Sequence, residues 1–342
     1  DSLLEEALRL LEPEEHGQET AALLDRLAEN KLNLGYPDQA EALHHEARLL
    51  RAQAAPGDVY LEARAMVRTG RLAAARQLLA KRAEEERGAD QSRPQRFHRE
   101  TVLLLSLVHS LLGDVEAAER CAREGIAIGQ QLQSAFVEAV GFMRLGHALQ
   151  LGRSAAWEGT EREVVQEAIT YYQRAIEQVR AFKVMRTQVE PLWGLCRALG
   201  YHGEPAAAER VAEEALEIVQ RAGDEWMQNL VQVTKGAIHA LAGQWEQANE
   251  LLSRSARGFG QVGDTFGQSA AWLWLALTAW WQGDADGAAG HLSELLPVVR
   301  ERGYEALLLK RTFIGLKDEQ AAIPLLIEAE KRGIERGFVG GL

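Results

Sequence analysis

The sequence predicts an all-α fold, a right-handed α-solenoid of about seven helical hairpins ending in a C-terminal capping helix. Three observations lead there. Ala, Leu, Glu, Arg and Gln dominate, apolar residues recur at spacings of three and four, and no stretch alternates with period two for long enough to make a sheet. A glycine followed five residues later by alanine recurs along most of the chain. Small residues stand seven before most of these glycines and seven after the alanines, on one face of each of two consecutive helices.

Taken in order, residues 1–16 supply an N-terminal helix and residues 17–300 the hairpins. The pairs are Gly35…Ala40, Gly70…Ala75, Gly113…Ala118, Gly203…Ala208, Gly243…Ala248 and Gly283…Ala288. A seventh glycine, Gly152, finds its alanine only at Ala168. The successive glycines are 35, 43, 39, 51, 40 and 40 residues apart, so one insertion of 11, Arg153 to about Glu163, explains both irregularities. Each glycine ends a helix, where left-handed backbone is cheap, and the next residues start another. Pro37 and Pro205 fall in the first turn of a second helix, where no amide donor is lost. Asp114, Glu204 and Asp284 place acids at the positive end of a helix dipole. Ala28, Ala63, Ser106, Cys196, Gly236 and Ala276, with Gly146 one residue displaced, face Ala47, Gly125, Ala175, Ala215 and Ser255 across the hairpins. Small residues on both sides let two backbones approach closely. Residues 301–342 form the cap.

Those residues carry a resemblance. Leu27-Ala28, Leu105-Ser106, Leu145-Gly146, Leu195-Cys196 and Leu275-Ala276, each followed by the glycine, alanine and small-residue pattern, resemble tetratricopeptide repeats over about residues 17 to 300, and Trp272 matches that motif's aromatic. The period departs from the usual repeat of about 34 residues. Longer helices of this kind resemble the repeat domain of the maltose-regulon activator (MalT) class, large bacterial ATPase-type transcription regulators. The tail from Ala321 to Glu335 is similar to the segment closing that domain. The resemblance implies a sensor to which an effector or regulatory protein binds, biasing an ATPase module elsewhere in the regulator.

Composition narrows the function. A chain of 342 residues would ordinarily fold as two or three compact domains, whereas a solenoid makes one elongated domain. The net charge of −12, from 38 Lys+Arg against 50 Asp+Glu, argues against non-specific nucleic-acid binding. No run of apolar residues is long enough to span a membrane. The opening Asp1-Ser2-Leu3-Leu4-Glu5-Glu6 has neither an initiator Met nor the regions of a signal peptide, and reads as cut from a longer protein. Cys121 and Cys196 suggest no disulfide framework, so a reducing cytoplasm is expected. No P-loop, dinucleotide fingerprint or H-E-x-x-H motif is present; His44-His45-Glu46 lacks the second histidine and reads as a solvated helix face. Neither an enzyme nor a cofactor is expected.

Recognition is the remaining class, and in hairpin solenoids the first helices line the concave surface. The exposed stripe should run three before, one after and four after each small residue. The ligand-binding candidates on it are Tyr60, Arg64, Met143, His147, Gln150, Trp193, Arg197 and Trp280. An aromatic plate beside a few hydrogen-bonding groups suits a small-molecule pocket. Trp272 and Trp274 read as core, and the insertion with Trp157 reads as a tolerated surface loop, the alternative being that Trp157 enters the groove beside His147. The expected partner is a protein or a small-molecule effector, with neither nucleic acid nor membrane in direct contact. The competing reading is an adaptor holding a partner's peptide in its concave groove.

Overall fold

The computed structural model describes residues 17–34, 36–50, 59–88, 96–152, 162–182, 185–302 and 319–335, together with Leu4, Glu5 and Leu8. These residues form 15 α-helices and no strand. The first hairpin is α1 (Gly17–Leu34) with α2 (Pro37–Leu50), the second α3 (Val59–Arg68) with α4 (Leu72–Gly88). The third is α5 (Arg96–Leu112) with α6 (Val115–Gln131). The fourth pairs α7 (Ala135–His147), extended by a π-helical turn at Ala148–Gly152, with α8 (Arg162–Arg180). A 3-10 turn, Met185–Gln188, leads into α9 (Val189–His202), which pairs with α10 (Pro205–Ala222). The last two hairpins are α11 (Glu225–Leu241) with α12 (Trp245–Gln261), and α13 (Thr265–Trp281) with α14 (Ala285–Arg302). Finally α15 (Glu319–Glu335) packs on α14, burying Leu325 and Ala329 and reaching Asp286 O with Arg332 Nη1 at 3.1 Å. The solenoid of seven hairpins is as the sequence predicts. The N-terminal helix, residues 153–161 with Trp157, and residues 303–318 lie outside the described residues, apart from the three positions named.

The repeat has a finer beat than glycine and alanine reveal. From α10 onward a helix of 17 or 18 residues alternates with a short turn. Left-handed glycines fall every 20 residues, at Gly203, Gly223, Gly243, Gly263 and Gly283, with φ between 66° and 91°. Gly223 and Gly263 join one hairpin to the next and are followed five residues later by Gln228 and Gln268, so an alanine criterion passes over them. Gln133, at φ 50°, does the same between α6 and α7 without glycine. The following residue caps the next helix: Asp224 Oδ1 accepts from Met227 N at 2.9 Å, Asp264 Oδ1 from Gly267 N at 2.8 Å and Asp284 Oδ1 from Gly287 N at 2.8 Å. Asp114 and Ser134 act alike, whereas Glu204 makes no side-chain cap. Gly152 departs from the pattern and ends the π-helical turn, just where the extra residues begin.

The small residues sit at the helix crossings as expected. Ala28, Ala47, Ala63, Ser106, Ala175, Cys196, Ala215 and Ser255 are all fully buried. In the fourth and fifth hairpins the phenol ring of Tyr172 on α8 fills the slot between Gly146 and Gly194, and a Cβ on either would strike it. The reading of His44 as solvated is corrected: His44 is buried, and its Nδ1 pairs with Asp25 Oδ1 at 2.9 Å, because α2 turns that face toward α1.

The superhelix closes on itself. Tyr36 OH donates to Glu225 Oε2 at 3.4 Å, and Thr265 Oγ1 donates to Thr69 O at 3.2 Å, across 189 and 196 residues of sequence. Beside them Arg68 lies 3.1 Å above the ring of Trp226, whose Nε1 donates to Asp264. Hairpins one and two therefore meet hairpins six and seven, and the concave face becomes the wall of a partly open cavity.

Candidate functional site

That space has two adjoining chambers. The outer, of about 250 Å³, lies between α5, α7 and the start of α9, walled by Leu103, Val137, Val140 and Met143. The inner, of about 470 Å³, is walled by Leu107, Leu111, Trp193, Trp226, Leu230 and Phe266, with Glu29, Arg64, Arg68 and Asp264 among its polar groups. Tyr60, Leu104, Phe136, Arg144, Thr187 and Glu190 border both, so the chambers run into one another. At the rim Phe136 meets Phe182 edge to face at 6.1 Å, both more than two-fifths exposed. Apolar walls with a few polar groups set among them are the usual lining of small-molecule pockets.

Arg144 organises the junction. Its Nε donates to Leu103 O at 3.1 Å, and its Nη1 meets both Glu190 Oε1 and His147 Nδ1. His147 is fully buried, 5.5 Å from the Tyr172 ring and 5.6 Å from that of Trp193. Burial, then the Arg144 charge beside it, push the His147 imidazole down to about 3, so it stays neutral and accepts from Arg144. Burial likewise pushes the Tyr172 hydroxyl well above its usual range. Trp193 Nε1 donates to Thr234 Oγ1 at 2.8 Å, which fixes the indole as a wall of the inner chamber. Asp264 is held above the usual carboxylate range by burial, against the lowering effect of Gly267 N and Trp226.

The structure divides the predicted residues. Tyr60, Arg64, Met143 and Trp193 line the chambers. His147 and Gln150, expected on an exposed face, are buried behind them; with its amide oriented by its neighbours, Gln150 Oε1 accepts from Arg197 Nε at 3.2 Å. The π-helical turn at the end of α7 carries Gln150 away from the concave stripe. Arg197 and Trp280 lie outside the two chambers: Arg197 stacks over Tyr201 at 5.0 Å, and Trp280 packs on the core of α13 and α14. Trp272 and Trp274, read as core, are only partly buried, and Trp274 meets Tyr201 and Trp281 at 6.4 and 6.1 Å. The two cysteines act as packing groups: burial pushes the Cys196 thiol up to about 12 and that of Cys121 to about 11. Among the described residues no three His, Cys, Asp or Glu are grouped to hold a metal ion, and no helix is long and apolar enough to cross a membrane.

The stripe rule works for early hairpins and drifts in later ones. In α3 and α5 the lining residues straddle the small residue. In α7, α9, α11 and α13 the second residue of the helix reaches the cavity: Phe136, Glu190, Trp226 and Phe266. Each stands two after the capping position, at Ser134, Gln188, Asp224 and Asp264, and that offset is the signal sequence reasoning missed.

No protein-family model and no curated protein sequence matches the chain. Solved structures do. A Rap protein complexed with competence and sporulation factor aligns with TM-score 0.61 and 14% identity, over 94% of this chain and 88% of that one. NprR in complex with its cognate peptide NprX aligns with TM-score 0.57 and 14% identity, over 90% and 89%. A signal transduction ATPase with numerous domains and a tetratricopeptide repeat sensor, from Pyrococcus horikoshii, aligns with TM-score 0.52 and 15% identity, over 92% of this chain and 47% of its own length. These likenesses show the fold, a tetratricopeptide-like superhelix.

Proposed function

We propose that this chain is the effector-sensing domain of a regulator, and that its effector is a short peptide held lengthwise in the two chambers. The closure of hairpin two on hairpins six and seven around a lined cavity carries this reading. A ligand held between hairpins that meet around it touches several of them at once and can bias how they sit, since a ligand shifts an equilibrium only through differential contacts with its states. Two of the structural neighbours are described with bound factors or peptides, which supports a peptide here. A setting in a MalT-like regulator rests on the resemblance of the tail to the segment closing that domain, and on the ATPase neighbour with a repeat sensor. A transcriptional output follows from that setting. The adaptor reading needs an open groove for a partner's tail, and contacts between Thr69 and Thr265 across the concave face favour the ligand held in the cavity.

The test is a thermal-shift screen of random tetra- to hexapeptides, because a ligand specific to the native state raises its stability. Hits are repeated on Trp193→Ala and Trp226→Ala, which should each lose the shift. Peptides that stabilise these variants as well as the parent would place binding elsewhere and sink the reading.

A further inference from the structure

We infer that the outer chamber receives a ligand carboxylate at Arg99, with the ligand's apolar part running on along α5 into the inner chamber; this rests on the cavity being a ligand site, as proposed above. Arg99, Leu103, Leu107 and Leu111 succeed one another at intervals of four along α5, the spacing of a helix ridge. The cavity follows that ridge. Arg99 and Leu103 border the outer chamber, Leu107 and Leu111 the inner. At 1.5 Å per residue the ridge is about 18 Å long, a length that about five extended residues span. It is cationic at one end and aliphatic over the rest, the complement of a chain with an acid at one end and apolar groups behind it.

The fold leaves Arg99 uncommitted. It is partly buried, and among the described residues no hydrogen bond, ion pair or ring contact engages it. The other charges bordering the outer chamber are Glu100, Arg144 and Glu190. Arg144 and Glu190 neutralise each other, and Arg144 is further held by Leu103 O and His147. Glu100 is the next residue on α5, and adjacent residues of a helix do not face each other, so it does not satisfy Arg99. Its charge instead reaches the Tyr60 hydroxyl. The walls around Arg99 include Leu103, Val137, Val140 and Met143. Such walls weaken screening, so a guanidinium beside them gains more from an anion than one in open water. Its planar fork of N–H donors matches a carboxylate through two parallel bonds. The terminal carboxylate of a peptide and the side chain of an acidic residue offer that same group.

The probes are N-dansyl-Leu-Leu-Phe as the free acid, the same peptide as its amide, and N-dansyl-Leu-Leu-Glu amide, whose carboxylate is on the side chain. Each is titrated at neutral pH by dansyl fluorescence. Both acids should bind about tenfold tighter than the uncharged amide, the scale of one charge-assisted contact. The tighter of the two assigns the carboxylate to the terminus or to a side chain. Arg99→Gln should bring both acids down to the affinity of the amide and leave the amide unchanged, a selective loss that misfolding cannot mimic. Arg99→Lys should keep part of the preference. Equal binding of acids and amide by the parent, or a preference that survives Arg99→Gln, overturns the inference while the cavity reading stands. Binding of none of the probes overturns both.

Discussion

Replacing Gly194 by alanine tests whether the glycine slot positions the cavity wall. In an exposed helix interior this change stabilises by about 0.5–1 kcal/mol, because glycine has more backbone freedom to lose. Here the new Cβ would sit 2.5 Å from Tyr172 Cζ and 2.8 Å from Cδ1. The ring has nowhere to go: Gly146 closes its other face, with a Cβ there only 2.7 Å from Cε1, and Tyr172 is fully buried. Overpacking of this kind typically costs about 1–3 kcal/mol, so the net sign reverses to destabilisation. The disturbance should also reach the inner chamber, since His147 lies 5.5 Å from Tyr172 and 5.6 Å from Trp193. Urea unfolding followed by circular dichroism gives the stability, and hydrogen exchange of α8 and α9 locates the loss. A Gly194→Ala variant as stable as the parent, or more so, would refute the slot. Restoration by Tyr172→Leu in the same chain would confirm that the ring is the obstacle.

Three further outcomes are expected. Cys121 and Cys196, whose thiols burial pushes up to about 11 and 12, should resist a thiol reagent at pH 8 until urea unfolds the chain; rapid labelling of the native protein would contradict their burial. His147 has a folded value of about 3 against an ordinary 6.5, so the unfolded chain binds its proton first. Its contribution to stability is present above pH 6.5 and falls as pH drops toward 3, by at most about 1.4 kcal/mol per unit; His147→Gln should flatten the slope of unfolding free energy between pH 6 and 4, and an unchanged slope would refute it. Asp264→Ala removes the cap on Gly267 and the partner of Trp226, and should cost about 1–3 kcal/mol. It should also lengthen the distance between labels at the exposed Asp38 and Glu246, measured by electron paramagnetic resonance; an unchanged distance would show that the closure does not depend on Asp264.

Much of the fold is legible because it is local. A hairpin needs a left-handed turn, a cap and two small-residue faces, and each is written within about 20 residues, as in Gly203-Glu204-Pro205 and Gly283-Asp284. What escaped was the half-period, since Gly223-Asp224 and Gly263-Asp264 use the same turn without the alanine that marks the hairpin interior. His44 escaped for another reason: an apparently polar face is buried when a carboxylate on the neighbouring helix, Asp25, waits to meet it.

The site is a longer-range property, and its partial legibility follows from that. A period-based stripe assumes that every first helix shows the same height to the concave surface. In a superhelix that closes after about six hairpins, successive first helices meet the cavity at different heights. It is met along the whole of α3, from Tyr60 to Arg68, but only at the N-terminal end of α11 and α13, at Trp226 and Phe266. The drift thus measures the pitch, which no single repeat encodes. The closure also differs in kind from the contacts that build the solenoid. Consecutive hairpins bury whole apolar helix faces against one another, whereas hairpin two meets hairpins six and seven through Arg68 on Trp226 and Thr265 on Thr69. A few polar contacts contribute only a few kcal/mol together, within reach of the contacts one bound ligand adds. Arg68, Trp226 and Asp264 also border the inner chamber, so a ligand that fills it touches the groups that hold the ring shut.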